Sequence, residues 1–289
     1  MHKYFFRYGM IIILFMICAT CSAKSFNPSL FSYDDNSAVK LSVLSSKTTD
    51  GVTVQSITYS GPGLSRNVGA YLVAPEKPGV YPAIIYLHMY PGASKEQFLE
   101  EGTTLAKKGS VCLLLEGLFP WQEKPKNINT DMKMIIRQII ELRRGIDLLC
   151  MQKNVDATRI AFVGMDYGAM HGMLLSGIES RVSYYVIIAG APRFPQWNGI
   201  FINDAFMPDY AKKIAVLDPI NNVSHATAKG FLFQYSENDE WVQKEDAQLL
   251  YDAVTRPKKI EWYESGHAAT GSTSEKERMI WLIENLSLK

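Results

Sequence analysis

The residues able to do chemistry stand at three places in the 289-residue chain. The first is Val163-Gly164-Met165-Asp166-Tyr167-Gly168, between an apolar run and a helical pattern. Two glycines around a central residue permit a cramped strand-to-helix turn that lifts the central side chain out of a sheet. The N–H groups of the following helix favour negative charge, so Asp166 is expected to be ionised and presented to a ligand. The second place is Ser236-Glu-Asn-Asp239-Glu-Trp-Val242, and the third is Glu264-Ser-Gly-His267. Asp239 lies 73 residues after Asp166, and His267 lies 28 after Asp239. A carboxylate, an imidazole and a second carboxylate make a nucleophile, a base and an orienter for that base. Two carboxylates beside one imidazole should also raise its pKa.

A fourth element, His88-Met89-Tyr90-Pro91-Gly92, follows another apolar run. Backbone N–H groups of Met89 or Tyr90, with that of Tyr167, are expected to form an oxyanion hole. His88, Glu116, Trp197 and Tyr210 are candidates to line a substrate pocket, with Phe194, Phe201 and Phe206. His88 reads more readily as a structural loop residue, and plain packing would explain the aromatic residues equally well. No Cys/His spacing suits a metal, and no cofactor is implied, because nucleophile, base and donors all come from the chain.

These residues need a scaffold that brings strand ends together. Val52–Thr58 alternates with period two and reads as a strand, as does Ala70–Ala74. Ala83–His88 and Val111–Leu115 are nearly continuous apolar runs, as expected of strands covered on both faces. Arg159–Val163, Tyr184–Ile188, Phe231–Tyr235 and Ile260–Tyr263 complete the strands. Helical patterns fall between them at Ser94–Lys108, Met132–Cys150, from Tyr167, near Glu245–Val254 and from Ser274. In Met132–Cys150, residues Ile135, Ile139, Leu142, Ile146 and Leu149 share one face, and Asp131 is the expected N-cap. Strands alternating with helices imply a mostly parallel sheet with helices on both faces, whose active groups collect at the carboxyl ends of strands.

The composition agrees with one globular domain. Hydrophobic residues make up 47% and charged residues 20% of the chain, with a net charge of +1. Disorder needs lower hydrophobicity, and nucleic-acid binding needs clustered basic residues. The pairs Arg143-Arg144 and Lys258-Lys259 read as solvated helix and turn surface. Residues 1–23 read as a signal peptide, with basic Lys3 and Arg7, the apolar block Met10–Cys18 and small residues up to Ala23. Cleavage is expected after Ala23, with an uncleaved anchor as the competing reading, since 16 uncharged residues are short for a span of roughly 20. Export to the periplasm or beyond follows, with no membrane span left. The remaining 24–289 form a single domain, on which 24–50 packs as an extension through Phe31 and Tyr33. Its net charge of −1 points to a small-molecule substrate and no charged polymer. Cys112 and Cys150 read as buried free thiols, with a single disulfide as the alternative.

From about Phe31 onward the chain resembles the dienelactone-hydrolase-related branch of the α/β-hydrolases. The resemblance rests on Ala70-Tyr-Leu-Val-Ala-Pro75, Tyr81–His88, Asp156–Gly164, Asp218-Pro-Ile220, Glu237–Val242 and Gly266-His267. It implies the α/β-hydrolase fold and the nucleophile–acid–His order. That branch uses Ser or Cys where this chain has Asp166. An Asp there resembles the haloalkane dehalogenases and epoxide hydrolases, and His88-Met-Tyr-Pro91 resembles the H-G-x-P loop of epoxide hydrolases, with Met89 in place of Gly. Those enzymes carry a large cap, whereas only about forty residues, 190–229, are available here, so the cap is short or absent. The resemblance implies a hydrolase acting on a small or medium organic substrate through Asp166, His267 and Asp239, with a covalent aspartyl intermediate. An esterase with another nucleophile, and a binding protein without turnover, stay open as alternatives.

Overall fold

A computed structural model describes residues 26–34, 36–61, 63–90, 92–118, 127–198, 207–267 and 271–289. Nine strands are found among these residues: β1 (Lys40–Thr49), β2 (Val52–Ser60), β3 (Val68–Pro75), β4 (Tyr81–Leu87), β5 (Val111–Leu115), β6 (Val155–Met165), β7 (Val182–Ile188), β8 (Gly230–Ser236) and β9 (Lys258–Tyr263). They form one sheet in the order β1-β2-β3-β5-β4-β6-β7-β8-β9. The first three strands and the β3–β5 pair run antiparallel, and every pair from β5 to β9 runs parallel. The chain leaves β4 for β5 on one side and returns as β6 on the other. That reversal opens a crevice beyond the carboxyl ends of β4 and β6, where open α/β sheets bind ligands.

The helices are α1 (Leu99–Lys107), α2 (Ile128–Met151), α3 (Tyr167–Ser176), α4 (Phe194–Asn198), α5 (Met207–Ile214), α6 (Pro219–Asn222), α7 (Lys244–Ala253) and α8 (Ser272–Leu286). The period-two alternation of the buried strands feeds two cores. Ala83, Ile85 and Leu87 of β4 face the core filled by α2, α3 and α7. Ile84 and Tyr86 face the core filled by α1 and α8. Every residue of β5 and β8 is buried; β5 is wholly apolar, as a strand covered on both faces should be, and the two polar residues of β8, Gln234 and Ser236, are hydrogen-bonded to Tyr263, Ser274 and Ser265.

Three local expectations change. Residues 40–49 are the outermost strand of the sheet rather than part of a packed extension. Both faces of β1 are largely exposed, so the sequence carries no apolar alternation to announce it. The segment before it is anchored as expected: Phe31 is buried, and the Tyr33 hydroxyl donates to Asp147 of α2 at 3.1 Å. Helix α2 starts earlier than Met132, because Asn127 is the N-cap and its side chain accepts the Thr130 N–H at 3.0 Å. Asp131 lies in the first turn, buried, and accepts the Tyr210 hydroxyl at 2.8 Å. Arg143 and Arg144 are not solvated. Arg144 is fully buried and donates to Asp147 (2.8 Å) and the Ser37 carbonyl (2.7 Å). Arg143 reaches Glu179 and the Phe31 carbonyl. Lys258 caps the end of α7 through the Tyr251 and Val254 carbonyls, while Lys259 stays exposed beside Glu261.

Cys112 and Cys150 are free thiols, Cys112 fully buried and Cys150 half-buried. No helix among the described residues is long and apolar enough to cross a membrane.

Without Arg144, Asp147 keeps Arg181 and Tyr33, but the Ser37 carbonyl loses its donor and the carboxylate one of its two cations. Arg144→Met should therefore lower stability by about 2 kcal/mol, measured as a fall in the urea midpoint at unchanged slope. The same substitution at exposed Lys259 should leave the midpoint within experimental scatter.

Candidate active site

Four strand ends meet at one point. β6 ends at Met165, and Asp166 then adopts φ 55° and ψ −118° before α3 begins at Tyr167. A non-glycine residue with positive φ is strained, and it persists only where its surroundings hold it. Here the Asp166 N–H donates to the Ile188 carbonyl at 2.7 Å, and its carbonyl accepts the Met170 N–H at 3.1 Å. The flanking glycines are needed for close approach. A Cβ on Gly168 would lie 2.4 Å from the Leu87 carbonyl oxygen, and one on Gly164 would lie 2.6 Å from the Gly168 carbonyl oxygen. The turn is thus pressed against the end of β4, which carries the next loop.

That loop supplies a donor. The Tyr90 N–H points at Asp166 Oδ2 at 3.2 Å, and the Tyr167 N–H also favours the charged carboxyl. The other expected donor, Met89, is committed elsewhere, because its N–H bonds Gln97 Oε1 at 2.9 Å. The pair of backbone donors at Asp166 is therefore Tyr90 and Tyr167, and Met89 drops out.

Asp166 is fully buried. Burial pushes its carboxyl pKa up, against the opposing pull of His267 and the two N–H groups. His267 follows β9 and presents Nε2 to Asp166 Oδ1 at 3.8 Å. Its Nδ1–H donates to both oxygens of Asp239, at 2.8 and 2.9 Å. Asp239, after β8, is itself held by the N–H groups of Trp241 (2.9 Å) and Val242 (3.0 Å). Burial works against the His267 imidazolium, but hydrogen bonding and charge from Asp166 and Asp239 outweigh it, and the pKa rises to about 9. Burial likewise opposes ionisation of Asp239, yet His267 and the two N–H groups hold its carboxyl below the ordinary range. Asp166, His267 and Asp239, picked out by order and spacing, are brought together.

The pocket candidates fare differently. His88 is buried and structural: its Nε2 accepts the Gly117 N–H at 3.0 Å, and its Nδ1–H donates to the Met89 carbonyl at 2.8 Å. Burial lowers its pKa. Glu116 is partly exposed, with its carboxylate near Lys95 (3.4 Å) and His88 (3.5 Å). The Tyr210 hydroxyl goes to Asp131 rather than to a ligand space. Trp197 belongs to α4, but its side chain lies outside the described residues, as do Phe201 and Phe206. Phe194 is fully buried and meets the ring of Tyr167 edge-on at 5.4 Å. Two residues make contacts that sequence reasoning does not foresee, Asp218 figuring there only as part of the resemblance. Gln97 joins Met89 to Met165, with Nε2 2.8 Å from the Met165 sulfur. Asp218 accepts the Phe194 N–H, and burial pushes its carboxyl up to about 6. Neither sits in a recurring pattern, because their partners lie far along the chain.

No cluster among the described residues could hold a metal ion. What the arrangement can do is hold a buried carboxylate with one oxygen on the Tyr90 N–H and the other facing the His267 imidazole.

The architecture has solved counterparts. Among them is an acetyl xylan esterase from Paenibacillus sp. R4, 18% identical, covering 85% of this chain and 88% of its own, with a TM-score of 0.70. An S-formylglutathione hydrolase from Agrobacterium tumefaciens is 14% identical over 84% of this chain and 99% of its own, with a TM-score of 0.66. A putative dienelactone hydrolase from Klebsiella pneumoniae is 17% identical over 86% and 99%, with a TM-score of 0.58. The fold is that of the α/β-hydrolases. No protein-family model and no curated protein matches the sequence. Between β7 and β8 this α/β-hydrolase fold carries only the short helices α4, α5 and α6 with brief 3₁₀ turns among the described residues, in keeping with a short cap.

Removing the Asp166 charge should make His267 easier to deprotonate. A proton NMR titration should place the imidazole near pH 9 in the wild type and clearly lower in Asp166→Asn. By linkage, the raised pKa stabilises the fold fully below the ordinary value of 6.5 and loses that effect as pH rises through about 9. The wild type should therefore lose more stability than Asp166→Asn between pH 7 and 10, read by thermal melts.

Proposed function

We propose that this chain is an exported hydrolase that opens a small or medium organic substrate at a saturated carbon, with Asp166 as the covalent nucleophile. The carrying observation is the division of the Asp166 carboxylate, with Oδ2 on the Tyr90 N–H at 3.2 Å and Oδ1 facing His267 Nε2 at 3.8 Å. A carboxylate attacking an acyl carbon would form a reactive anhydride, whereas attack on an sp3 carbon forms an ordinary ester. The Tyr90 N–H already holds Oδ2, where a serine enzyme would need room for the substrate's oxyanion.

Oδ1 forms the new bond to carbon, and the bond from that carbon to its leaving group, a halide or an epoxide oxygen, breaks with its electron pair. Esterification removes the Asp166 charge, so His267 gives up its proton, to the departing alkoxide or to solvent. Neutral His267, oriented by Asp239, then takes a proton from water as the water attacks Cγ of the aspartyl ester. The oxyanion that develops on Oδ2 is met by the Tyr90 and Tyr167 N–H groups. Cleavage of the Cγ–Oδ1 bond releases the product alcohol, which takes up the proton held by His267. Asp166 keeps one oxygen from water. Residues 1–23, with Lys3, Arg7 and the apolar block to Cys18, support export by their signal-peptide pattern.

A single turnover in heavy-oxygen water with epoxides and haloalkanes should place the label in the peptide containing Asp166 and leave the first product unlabelled. Label in the first product alone would mean direct attack by water. Asp166→Ala should lose at least about 10³-fold in kcat, in line with loss of a nucleophile that acts as part of a unit.

A further inference from the structure

We propose that His88 and Gln97 act as positioning residues that fix the Met89–Tyr90 peptide in the orientation that aims the Tyr90 N–H at Asp166. In a trans peptide the C=O of one residue and the N–H of the next point in opposite directions. Whatever holds the Met89 carbonyl therefore aims the Tyr90 N–H. The Met89 carbonyl is held by His88 at 2.8 Å, and the Tyr90 N–H reaches Asp166 Oδ2 at 3.2 Å. On the other side of Met89, its N–H is held by Gln97 Oε1 at 2.9 Å. Both peptide planes around Met89 are thus tied by side chains, one from the neighbouring His88 and one from Gln97, outside the loop.

The tautomer of His88 follows from its partners. The Gly117 N–H donates to Nε2 at 3.0 Å, so Nε2 must offer a lone pair and the ring hydrogen sits on Nδ1. That hydrogen is what the Met89 carbonyl accepts. Burial disfavours the charged imidazole, in keeping with one lone pair and one N–H. Gly117 follows β5, so the ring ties the loop after β4 to the loop after β5. Gln97 reaches the other way, with Nε2 at Met165, the residue before Asp166. The same two side chains therefore set the donor and brace the turn that presents its acceptor.

A reversed peptide would turn the Met89 carbonyl oxygen toward the Asp166 carboxylate. It would also leave His88 Nδ1–H, inside the protein, without its acceptor. Both effects oppose reversal. The consequence for rate rests on the hydrolase reading above, while the geometric claim does not.

The two halves of the His88 ring can be separated by substitution. His88→Asn keeps a donor at the position of Nδ1 and gives up the acceptor for Gly117. His88→Gln keeps an acceptor for Gly117 and gives up the donor to Met89. Gln97→Leu removes the acceptor for the Met89 N–H. The readout is the Tyr90 amide proton shift in nitrogen-15-labelled protein, with and without Asp166→Asn in each background. A thermal melt of each variant confirms folding.

In wild type and in His88→Asn the Tyr90 amide should respond to loss of the Asp166 charge. In His88→Gln and Gln97→Leu that response should collapse while the melts stay cooperative. On a turned-over substrate, kcat should fall by about 10²-fold in His88→Gln with KM little changed, the size expected for one lost oxyanion donor. A Tyr90 amide that still senses Asp166 in His88→Gln and Gln97→Leu would overturn the proposal. So would its loss in a folded His88→Asn, because the donor would then not be what holds the peptide. If no substrate is turned over by wild type, the hydrolase reading fails, and the amide response alone still decides the positioning claim.

Discussion

A carboxylate taken out of water costs several kcal/mol unless its charge is answered nearby. Asp166 is fully buried, and most of the architecture around it can be understood as that answer. Its carboxylate meets the Tyr90 N–H on one oxygen and faces the His267 imidazole from the other. The imidazole is itself held by Asp239, and Asp239 by two backbone N–H groups. The sequence of partners runs from a buried charge outward to hydrogen-bonded backbone, each step reducing the cost of the one before. The balance is incomplete: Asp166 keeps a raised pKa, and His267 keeps its proton to about pH 9. A charge held at a cost is one that a reaction can use, because forming an ester at Asp166 removes it.

The scaffold meets this constraint by convergence of strand ends. β4, β6, β8 and β9 lie close together in one sheet, so residues 88–90, 166, 239 and 267 reach the same edge from distant parts of the chain. The cores on the two faces hold the strands in register. This packing sustains the positive φ of Asp166, a conformation that the local sequence alone would not favour. Gly168 lets the turn lie against the Leu87 carbonyl, which brings the Tyr90 loop within hydrogen-bond reach.

Much of this was legible in the sequence, for physical reasons. The turn at 164–168 is announced by its glycines, β5 by an unbroken apolar run, and β8 by Phe231–Tyr235, apolar but for Gln234. Asp239 and His267 each follow an expected strand in the order the fold requires. Other features left no local mark. β1 pairs through its backbone with both faces exposed, so its side chains carry no alternation. Asp131 looked like a cap because a short acid precedes an apolar stripe, but Asn127, the residue just before α2 begins, takes that role. Arg144 looked solvated because its partners, Asp147 and the Ser37 carbonyl, become visible only after folding. Met89 and Tyr90 could not be told apart as donors, since Gln97 takes the Met89 N–H and His88 holds the Met89 carbonyl, in two adjacent peptides.

In the proposed reaction Asp166 Oδ1 is the atom that bonds to substrate. The direct measurement is the mass of a His267→Gln variant after incubation with a haloalkane or epoxide, followed by peptide mapping. Without a base to activate water, the ester should accumulate, and the peptide containing Asp166 should gain the mass of the substrate's alkyl group. Product formed by the wild type, with no adduct on that peptide in the variant and substrate bound at the site, would contradict the account.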